Sequence, residues 1–446
     1  MGTGGTNIRE SGLENEVHRL PTITGVNVQM DREPLLHPFG FKGGQLTELW
    51  QPIVKLQGDR GYRGTGVGVQ SPLWSDTRLM ATLGEQDANR LMMEWTQEAA
   101  SRLEGVTFEH PVDLFGQLRS LRADTWFADK GFESVRPTFV LNALAAIDFA
   151  AWVLYAREKG TSRFVDLLPE SCTSILKPDA PAVMTVPVVA YGTSDEEITE
   201  LLMDGYSVLK IKLGSAPEGS SGSEDMLNWD MQRFRHIHKL VTSLEDRAHM
   251  PEPIRYYLDL NGRYEAKDDL LRLLEDSERS GSLPKVVLVE EPFLSGGEIT
   301  VDDVPACIAA DESIQSEEDA RHYMDLGYGA IALKPAAKSM SLSIQVAALA
   351  SERGVPCFCA DLTASPLLVE WTRVLAAHLQ PLPGMSHSLM ESNGRQNYSG
   401  WDRLESYHPA AGAVWTIPDS GRFLLDEAFY KRSGGVFELS GYYEKR

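Results

Sequence analysis

The rhythm of hydrophobic and polar positions changes once along this chain, near residue 186. Before that point, alternating apolar residues predict strands at Ile23–Met30 and Gln51–Leu56. Two helices are predicted to follow, at residues 84–103 and 137–159. The second helix is rich in Ala and Leu and is apolar on most faces, which indicates a buried position between two domains. The N-terminal part is therefore predicted to be a mixed α+β domain.

From residue 186 onward, short apolar runs alternate with amphipathic helices at Ser316–Leu326, Ser341–Arg353 and Leu367–His378. A strand, a helix and a further strand form a crossover unit, and such units build parallel sheets. The strands are predicted at Val186–Tyr191, Val208–Lys212, Ile254–Asp259, Val286–Glu290, Ile308–Asp311, Ala330–Lys334, Pro356–Asp361 and His387–Glu391. This series predicts a closed barrel, in which chemistry takes place at the C-terminal strand ends.

The predicted fold class is α/β: a (β/α)8-type barrel with an α+β N-terminal capping domain that the C-terminal tail completes. Residues 1–20 begin Gly-rich and polar and are expected to be a disordered tail. The capping domain is expected at residues 21–180 and the barrel at residues 181–400. The strand–helix alternation then stops, so residues 401–446 are expected to pack back on the capping domain. A segment rich in Gly, Ser and acidic residues, 215–225, is predicted to be an insertion after the second barrel strand.

A Gly-rich stretch in the N-terminal part could be mistaken for a nucleotide-binding loop. It reads Gly64-Thr65-Gly66-Val67-Gly68. It lacks the Lys-Ser/Thr pair of such loops, and no helix start follows it closely. We therefore reject a nucleotide site at this position.

Composition narrows the class of protein. The 446 residues suffice for a large barrel and a second domain, and the net charge of −22 favours solubility. Nucleic acid is not an expected partner, because binding phosphates needs a basic face. No run of 18 apolar residues occurs, so no membrane span is expected. Four scattered cysteines are too few for a disulfide framework and fit a reducing, cytoplasmic setting.

Three acidic clusters each close a short apolar run in the barrel half of the chain. They read Asp259-Leu260-Asn261, Glu290-Glu291-Pro292 and Asp311-Glu312-Ser313. Their spacing leaves room for one strand, one helix and two loops, so they fall at the ends of successive parallel strands. Such ends converge on one point, and carboxylates gathered there suit a hard divalent cation. Taken singly, each residue has a structural alternative as a turn or helix-cap residue.

Three lysines flank these carboxylates and end apolar runs of the same kind. Lys210 and Lys212 are two residues apart in a strand, so both side chains point to the same face. Inward lysines are costly unless opposite charge compensates them, and carboxylates with a cation can do so. Lys334 ends a later apolar run, and Lys338 follows one helical turn further on. We favour Lys334 as the functional residue, because it stands at the strand end.

These motifs, in order at consecutive barrel strands, resemble those of the enolase superfamily. They are Lys-x-Lys, Asp-x-Asn, Glu-Glu-Pro, Asp-Glu-Ser and a later strand-end Lys. Within that superfamily the chain is similar to the branch of muconate-lactonizing enzymes and dipeptide epimerases, from Thr22 to the tail. The resemblance implies that Asp259, Glu290 and Asp311 bind Mg²⁺, for which Mn²⁺ can substitute.

The resemblance also implies an acid/base pair, Lys212 and Lys334, on opposite faces of the bound substrate. Lys210 would lower the pKa of Lys212 by charge repulsion. Further candidates either support these groups or contact the substrate: Asn261, Glu291, Glu312, Asp361, Glu391, Phe39 and Phe41. The two phenylalanines lie in the expected cap loop, His37–Gly44, which would select the substrate.

The implied reaction removes the proton α to a carboxylate and passes through an enediolate, whose charge the cation would neutralise. Lysines on both faces suit a racemase or epimerase of an amino-acid derivative or dipeptide. The same intermediate serves a cycloisomerase or a syn-elimination, as in o-succinylbenzoate synthase or an acid-sugar dehydratase. Lys334 stands where many sugar dehydratases carry a histidine, which argues against the last. A non-catalytic binding protein is the remaining alternative. The expected partner is a small carboxylate, and self-association into a homo-oligomer is compatible with the sequence.

Overall fold

The computed structural model describes residues 20–41, 44–173, 180–216, 222–245, 252–293 and 298–446. The expected tail, residues 1–20, lies outside the described residues except for Leu20, and so does the middle of the expected insertion. An N-terminal antiparallel sheet with its helices, called the cap below, covers a barrel of parallel strands with helices outside it. The predicted fold class is therefore confirmed.

The cap sheet has three antiparallel strands in chain order. They are β1 (Ile23–Phe41), β2 (Gly44–Gly58) and β3 (Arg63–Val67). The first two contain the predicted strands but are longer, because they continue as one hairpin beyond an irregularity between Pro34 and Phe39. The expectation of a cap loop at His37–Gly44 is thereby corrected. Its described residues form the end of the hairpin, where Phe39 pairs with Leu46.

Six helices follow the cap sheet along the described part of the chain. They are α1 (Pro72–Ser75), α2 (Thr77–Ser101), α3 (Pro111–Arg119), α4 (Ala123–Asp129), α5 (Pro137–Lys159) and α6 (Glu170–Thr173). Helix α5 has the predicted bounds. Helix α2 begins earlier than predicted and contains Gly84 at φ 76° and ψ 171°, outside the helical region. The sequence pattern detects only the part that follows this break.

Strand β3 crosses helix α5 at unusually short range. A Cβ added to Gly64 would lie 2.0 Å from the carbonyl oxygen of Ala150, and one added to Gly66 would lie 2.1 Å from that of Ala146. Alternate glycines therefore let the two backbones touch. The Gly-x-Gly pattern is a packing feature of a strand, in agreement with the rejection of a nucleotide loop.

Helix α5 is the one described helix that is long and apolar enough to span a membrane, yet 94% of its most apolar window is buried inside the protein. Its polar contacts reach the barrel. Trp152 Nε1 donates to Ser341 Oγ (3.0 Å), and the Ser341 N–H donates to Asp148 Oδ2 (2.9 Å). The prediction of a buried helix between two parts of the molecule is confirmed.

The barrel strands follow one another around a closed ring. They are β4 (Ala182–Val186), β5 (Val188–Val189), β6 (Val208–Lys212), β7 (Arg255–Asp259), β8 (Val286–Glu290), β9 (Ile308–Ala310), β10 (Ala330–Leu333), β11 (Cys357–Cys359) and β12 (Leu389–Glu391). Strands β4 and β5 are two parts of one barrel strand: β4 pairs with β12, and β5 pairs with β6. The predicted first strand, Val186–Tyr191, is wrong in its bounds. The strand begins at Ala182 and breaks at Pro187, which has no N–H to donate.

Helices on the outside connect most of these strands. They are α7 (Asp195–Met203), α8 (Ser223–Glu245), α9 (Lys267–Ser280), α10 (Glu317–Asp325), α11 (Pro335–Lys338), α12 (Met340–Glu352), α13 (Pro366–Ala376) and α14 (Gly394–Asn397). The three helices predicted in this half are confirmed, with small differences at their ends. Between β8 and β9, the described residues contain no helix, so this connection departs from strict alternation.

The C-terminal segment contacts both the cap and the barrel. Its elements are α15 (Trp401–Glu405), β13 (Arg422–Leu424) and α16 (Glu427–Arg432). On the cap side, Tyr442 OH donates to Asp31 Oδ2 (2.9 Å), and Lys55 Nζ donates to the carbonyl oxygen of Glu444 (2.8 Å). On the barrel side, β13 pairs antiparallel with β4. The segment thereby ties the two parts of the molecule together.

Candidate active site

The strand-end charges gather at the mouth of the barrel that faces the cap. Strand pairing places Lys212, Asp259 and Glu290 side by side at the ends of β6, β7 and β8. A cavity lies here, with charged barrel residues as its floor and apolar cap residues as its roof. The C-terminal strand ends therefore form the candidate site, as the barrel fold leads one to expect.

Lys210 stands at the centre of the charged floor. Its Nζ lies 2.8 Å from Asp259 Oδ2, 2.9 Å from Glu290 Oε2 and 2.8 Å from Glu391 Oε2. Burial alone would lower the pKa of Lys210, but the three carboxylates hold that pKa well above its ordinary value. Lys210 is therefore a fixed cation that links three strand ends.

Lys212 and Lys334 lie on opposite sides of the floor, because β6 and β10 stand opposite each other in the ring of strands. Lys212 is partly exposed, and its Nζ lies 2.5 Å from Asp259 Oδ2 and 2.9 Å from Asn261 Oδ1. Lys334 is buried, and its Nζ binds Asp311. Burial lowers the pKa of Lys334, but the neighbouring carboxylates, Asp311 first, raise it above the ordinary value. Two amines thus face one cavity from opposite strands.

The alternative lysine, Lys338, also reaches Asp311. Its Nζ donates to the carbonyl oxygen of Asp311 and lies 3.2 Å from Oδ1. Among the described residues, the cavity lining includes Lys334 and not Lys338. This placement supports the choice of Lys334 as the lysine that faces a substrate.

Three carboxylates form a tight group in the floor. Oxygen atoms of Glu290, Asp311 and Glu312 lie within 4.8 Å of one another. Glu290 Oε1 and Glu312 Oε2 are buried and have no hydrogen-bond partner within the described part of the chain. Burial raises the pKa of Glu290, Lys210 opposes this rise, and Asp311 adds to it. Crowded carboxylate oxygens without donors are what a hard divalent cation requires, so these residues fit Mg²⁺ or Mn²⁺.

Asp259, which the sequence assigns to this group, lies beside it. Its Oδ2 binds both Lys210 and Lys212, and its Oδ1 accepts from the Asn261 N–H (3.0 Å). Burial raises the pKa of Asp259, but the two lysines more than offset this and hold that pKa below its ordinary range. Asp259 and Glu290 both bind Lys210 Nζ, so their carboxylates remain close neighbours. The structure therefore adds a fourth carboxylate, that of Glu312, to the expected trio.

One residue in each of three loops that follow strand ends adopts a left-handed backbone conformation, with φ of 47° at Asn261, 41° at Glu291 and 54° at Thr363. This conformation is unfavourable for residues other than glycine, and it clusters at functional sites. At Glu291 it directs the carboxylate to the Asp311 N–H (2.8 Å) and to Ser313 Oγ. Glu291 thereby orients the loop that carries Asp311, a supporting role in line with the sequence analysis.

Asp361 and Glu391 line the cavity from the last two strands. Glu391 Oε2 accepts from Lys210 Nζ (2.8 Å) and from the Asp361 N–H (3.2 Å). Asp361 accepts from the main-chain N–H groups of Leu362 (2.7 Å) and Asn393 (2.8 Å). Both carboxylates are engaged by the protein itself, which favours a supporting role over direct contact with a substrate.

The cap supplies an apolar roof over this floor. The roof residues are Leu35, Phe39, Leu46, Leu49, Leu73 and Trp74. Of the two expected phenylalanines, Phe39 is half-buried and lines the cavity, whereas Phe41 ends β1, where its backbone pairs with Gly44. The sequence therefore locates one roof residue out of a larger apolar set.

Two further residues at the site are not predicted from the sequence. Tyr257 donates from its OH to Glu290 Oε2. It stands two residues before Asp259, so the strand alternation used for the lysines could have found it. Trp74 lies in the four-residue helix α1, and Lys334 Nζ lies 4.9 Å from the centroid of its ring. A helix this short leaves no periodic pattern by which Trp74 could be recognised.

The barrel half of the chain is similar in sequence to known proteins. Residues 194–407 match the family model described as Enolase C-terminal domain-like. A curated relative, the L-Ala-D/L-Glu epimerase of Clostridium acetobutylicum, is 26% identical over 189 residues, which are 42% of this chain and 45% of that protein. The chain thus spans less than half the length of this relative.

Solved structures match over nearly the whole chain. The N-succinyl Arg/Lys racemase from Bacillus cereus has a TM-score of 0.64 at 17% identity and covers 94% of this chain and 98% of its own. The dipeptide epimerase from Enterococcus faecalis, complexed with Mg and the dipeptide L-Leu-L-Tyr, has a TM-score of 0.60 at 17% identity, with coverage of 85% and 92%. At such low identity the agreement is one of fold.

A capped barrel with carboxylates and lysines at consecutive strand ends defines a class of barrel enzymes that work at the strand C-termini. Residues 194–407 of the chain match the Enolase C-terminal domain-like family, in agreement with the superfamily that the strand-end motifs indicate. The structures that resemble it are mandelate racemase/muconate lactonizing enzymes and dipeptide epimerases, the branch that the sequence resemblance indicates.

Proposed function

We propose that this protein is a racemase or epimerase that removes the proton α to a carboxylate and depends on Mg²⁺, with Mn²⁺ as a substitute. One observation carries the proposal. Lys212 and Lys334 approach a single cavity from opposite barrel strands, on either side of a floor of carboxylates. The activation barrier for inverting the α-carbon is lowered when one group removes the proton and another group returns a proton from the opposite face.

The two lysines divide this work. In one direction Lys212 accepts the α-proton and Lys334 delivers a proton to the opposite face of the enediolate, and in the other direction the roles are exchanged. Lys210 takes no proton in this scheme, because three carboxylates hold it as a cation. Its charge keeps the strand ends of β7, β8 and β12 together beneath the reacting carbon.

Asp259, Glu290 and Asp311 are the residues that we propose hold the cation, with Glu312 as the adjacent carboxylate. When bound, a divalent cation would neutralise the charge that grows on the substrate carboxylate as the proton leaves. Glu291 and Ser313 fix the loop of Asp311, and Asn261 contacts both Lys212 and Glu312. These contacts keep the floor in position before a substrate arrives.

We propose an amino-acid derivative or a dipeptide as the substrate. The support is that a curated relative is an L-Ala-D/L-Glu epimerase and that similar structures include dipeptide epimerases and an N-succinyl Arg/Lys racemase. The ligand of this site is then a small carboxylate. We expect the enzyme to be soluble and cytoplasmic. Assembly into a homo-oligomer stays a prediction from the sequence.

The test is deuterium incorporation from heavy water at the α-carbon of N-acyl amino acids, dipeptides and acid sugars. We expect exchange with inversion that stops in EDTA and returns with Mg²⁺ or Mn²⁺. The variants Lys212→Ala and Lys334→Ala should each lose racemisation by about 10²- to 10⁴-fold, the range of acid–base catalysis. Each should retain exchange of one enantiomer at most, and that enantiomer should differ between the two.

The exposed residue Lys239 in helix α8 supplies the control, and Lys239→Ala should leave exchange unchanged. Exchange that survives both site substitutions with both enantiomers would show that the assigned bases are wrong. Loss of water from an acid sugar would instead identify an elimination, and closure or opening of a lactone would identify a cycloisomerase.

Calorimetric titration with Mg²⁺ tests the ligand assignment without any substrate. Glu290→Gln and Asp311→Asn should both weaken binding strongly. Asp259→Asn should weaken it more than Glu312→Gln if the sequence-based trio is correct. The reverse order would assign the third ligand to Glu312, which has a carboxylate oxygen within 4.8 Å of those of Glu290 and Asp311.

A further inference from the structure

A second cavity, called the side cavity below, lies between the barrel and the C-terminal segment. Residues of strands β4 and β13 and of helices α7, α13, α14 and α15 line it. Its volume is about 120 Å³, so it admits a small molecule rather than a peptide or a nucleotide. Among the described residues, none lines both this cavity and the one under the cap. The lining of the side cavity includes Glu370, Arg373, Arg395, Trp401, Glu405 and His408.

Arg373 is a buried cation with an unused donor. Its side chain is 2% exposed, its Nη1 donates to Glu370 Oε2 (2.5 Å), and its Cζ lies 3.9 Å from the centroid of the Phe423 ring. The Nε atom has no hydrogen-bond partner among the described residues. A buried N–H without an acceptor costs free energy. An acceptor that enters the side cavity and reaches this N–H would remove the cost.

Two neutral rings in the same lining also carry N–H groups without acceptors. His408 Nδ1 accepts from the Ala410 N–H (2.9 Å), so the neutral ring carries its proton on Nε2. Burial, together with the charge of Arg373, lowers the pKa of His408 to about 3 and keeps the ring neutral at pH 7. His408 Nε2 lies 3.4 Å from Glu370 Oε2 without forming a hydrogen bond, and Trp401 Nε1 has no partner in the described part of the chain.

These donors and the charges around them decide the charge of the occupant. Within the described lining, three buried donors stand against one buried acceptor without a partner, Glu370 Oε1. Glu370 already balances the charge of Arg373, and Arg395 Nη2 lies 3.5 Å from Glu405 Oε2. A phosphate dianion would therefore be repelled by two carboxylates. An anion with a single charge fits this balance better and supplies the missing acceptors.

The remaining wall of the side cavity favours an apolar tail. Its apolar side chains are those of Pro187, Leu201, Pro366, Val369, Pro418 and Phe423. Water can satisfy the three donors, but it would leave these side chains hydrated. A hydrocarbon chain would instead bury its surface against them, which stabilises the complex in proportion to the area buried. A carboxylate with a short hydrocarbon tail matches both parts of the lining.

We propose that the side cavity is a second binding site, which takes a small aliphatic monocarboxylate. The carboxylate accepts hydrogen bonds from the N–H groups of Arg373, His408 and Trp401, and the tail packs against Val369 and Phe423. This site goes beyond the proposed function, because its lining is separate from the strand-end carboxylates and lysines. Its existence does not depend on the proposed reaction.

The test measures binding of butyrate to the full-length protein in EDTA by ligand-observed NMR. Butyramide, which has the same shape and no charge, is the matched ligand. Butyrate should bind about tenfold more tightly, because hydrogen bonds to a charged acceptor are stronger. Trp401→Phe removes one N–H, keeps an aromatic ring and should weaken butyrate binding about tenfold. Trp95→Phe removes a buried indole N–H that also lacks a partner within the described residues but lines neither cavity, so it should leave binding unchanged.

Further variants separate the two cavities and guard against loss of folding. Lys212→Ala should leave binding in the side cavity intact, whereas butyrate held under the cap would lose affinity. Arg395→Gln changes a side chain that is 53% exposed and should weaken binding severalfold without disturbing the fold, which the melting temperature checks.

Three results would overturn the proposal, and each is independent of the exchange assay. One is butyrate binding that Trp401→Phe and Arg395→Gln leave unchanged, or that only Lys212→Ala abolishes. Another is tighter binding of inorganic phosphate than of butyrate, lost in Trp401→Phe, which would assign the side cavity to a divalent anion. The third is no binding of butyrate by the wild type, which would show that the cavity holds water alone.

Discussion

Replacing Lys210 by methionine tests how much the charge of this lysine stabilises the folded protein when no divalent cation is bound. Methionine keeps most of the side-chain volume but removes the charge that lies within 2.9 Å of three carboxylates. In the absence of metal, Asp259, Glu290 and Glu391 would then be buried together without their shared cation. The Lys210→Met protein should therefore be less stable than the wild type in EDTA.

The size of the effect follows from burial. Removing one partner of a buried ion pair costs about 3–5 kcal/mol. A chain of 446 residues has an unfolding entropy of about 0.9 kcal/mol per kelvin, from roughly 2.1 cal/mol per kelvin per residue. The melting temperature should fall by about 3–5 °C. The variant also lacks the ammonium that competes for Asp259 and Glu290, so added Mg²⁺ should raise its melting temperature by more than that of the wild type.

Differential scanning calorimetry in EDTA and in saturating Mg²⁺ measures both effects. Lys239→Met, which removes an exposed lysine, is the control and should leave the melting temperature in place. A Lys210→Met protein that melts with the wild type in EDTA would refute the argument that this lysine balances the strand-end carboxylates. Equal stabilisation of both proteins by Mg²⁺ would show that Lys210 and the cation do not share ligands.

Two further predictions concern the packing around helix α5. Burial raises the pKa of Asp148 to about 7, so between its unfolded pKa near 4 and pH 7 only the unfolded state releases the proton. The wild type should lose up to about 4 kcal/mol of stability as pH rises through this window, and Asp148→Asn should not. Urea unfolding at several pH values checks this, and a constant difference between the two proteins would contradict it. Gly66→Ala should destabilise by about 1–3 kcal/mol, because its Cβ would meet the α5 backbone. Gly116→Ala in helix α3, with open space around the new Cβ, should be neutral or slightly stabilising, and equal effects of the two in thermal unfolding would refute the contact.

The barrel could be predicted from the sequence because its strands are buried on both faces and its helices on one. A strand of this kind gives a short, continuous apolar run, whereas a helix buried on one face gives apolar residues three or four positions apart. Together these two patterns locate the barrel strands and the helices between them, apart from their exact bounds. The break at Pro187 leaves no such signal, and neither does the connection before β9, whose described residues form no helix. The sequence pattern predicts too short a cap hairpin, because the pairing of its two strands is irregular between Pro34 and Phe39.

The sequence predicts those site residues that lie within a strand or at its end, because the alternation of side chains along a strand shows which face they occupy. Lys210, Lys212, Glu290 and Asp311 occupy such positions, and the structure brings them to one floor. Where a side chain points after the strand has ended is set by the turn, and no pattern in the sequence encodes that direction. This is why the sequence names Glu312 as a supporting residue but does not show that its carboxylate lies within 4.8 Å of those of Glu290 and Asp311.

The order in which the chain is synthesised matters for strand β4, whose two edges pair with strands made much later. Strand β4 has β12 on one edge and β13 on the other, and the Thr185 N–H donates to the carbonyl oxygen of Gly421 (3.0 Å). A nascent chain therefore carries an open, apolar strand edge until the residues after Gly421 have left the ribosome. Such an edge is a template for pairing with another copy. Premature termination before this point should therefore yield aggregates, even though every strand of the ring has already been synthesised.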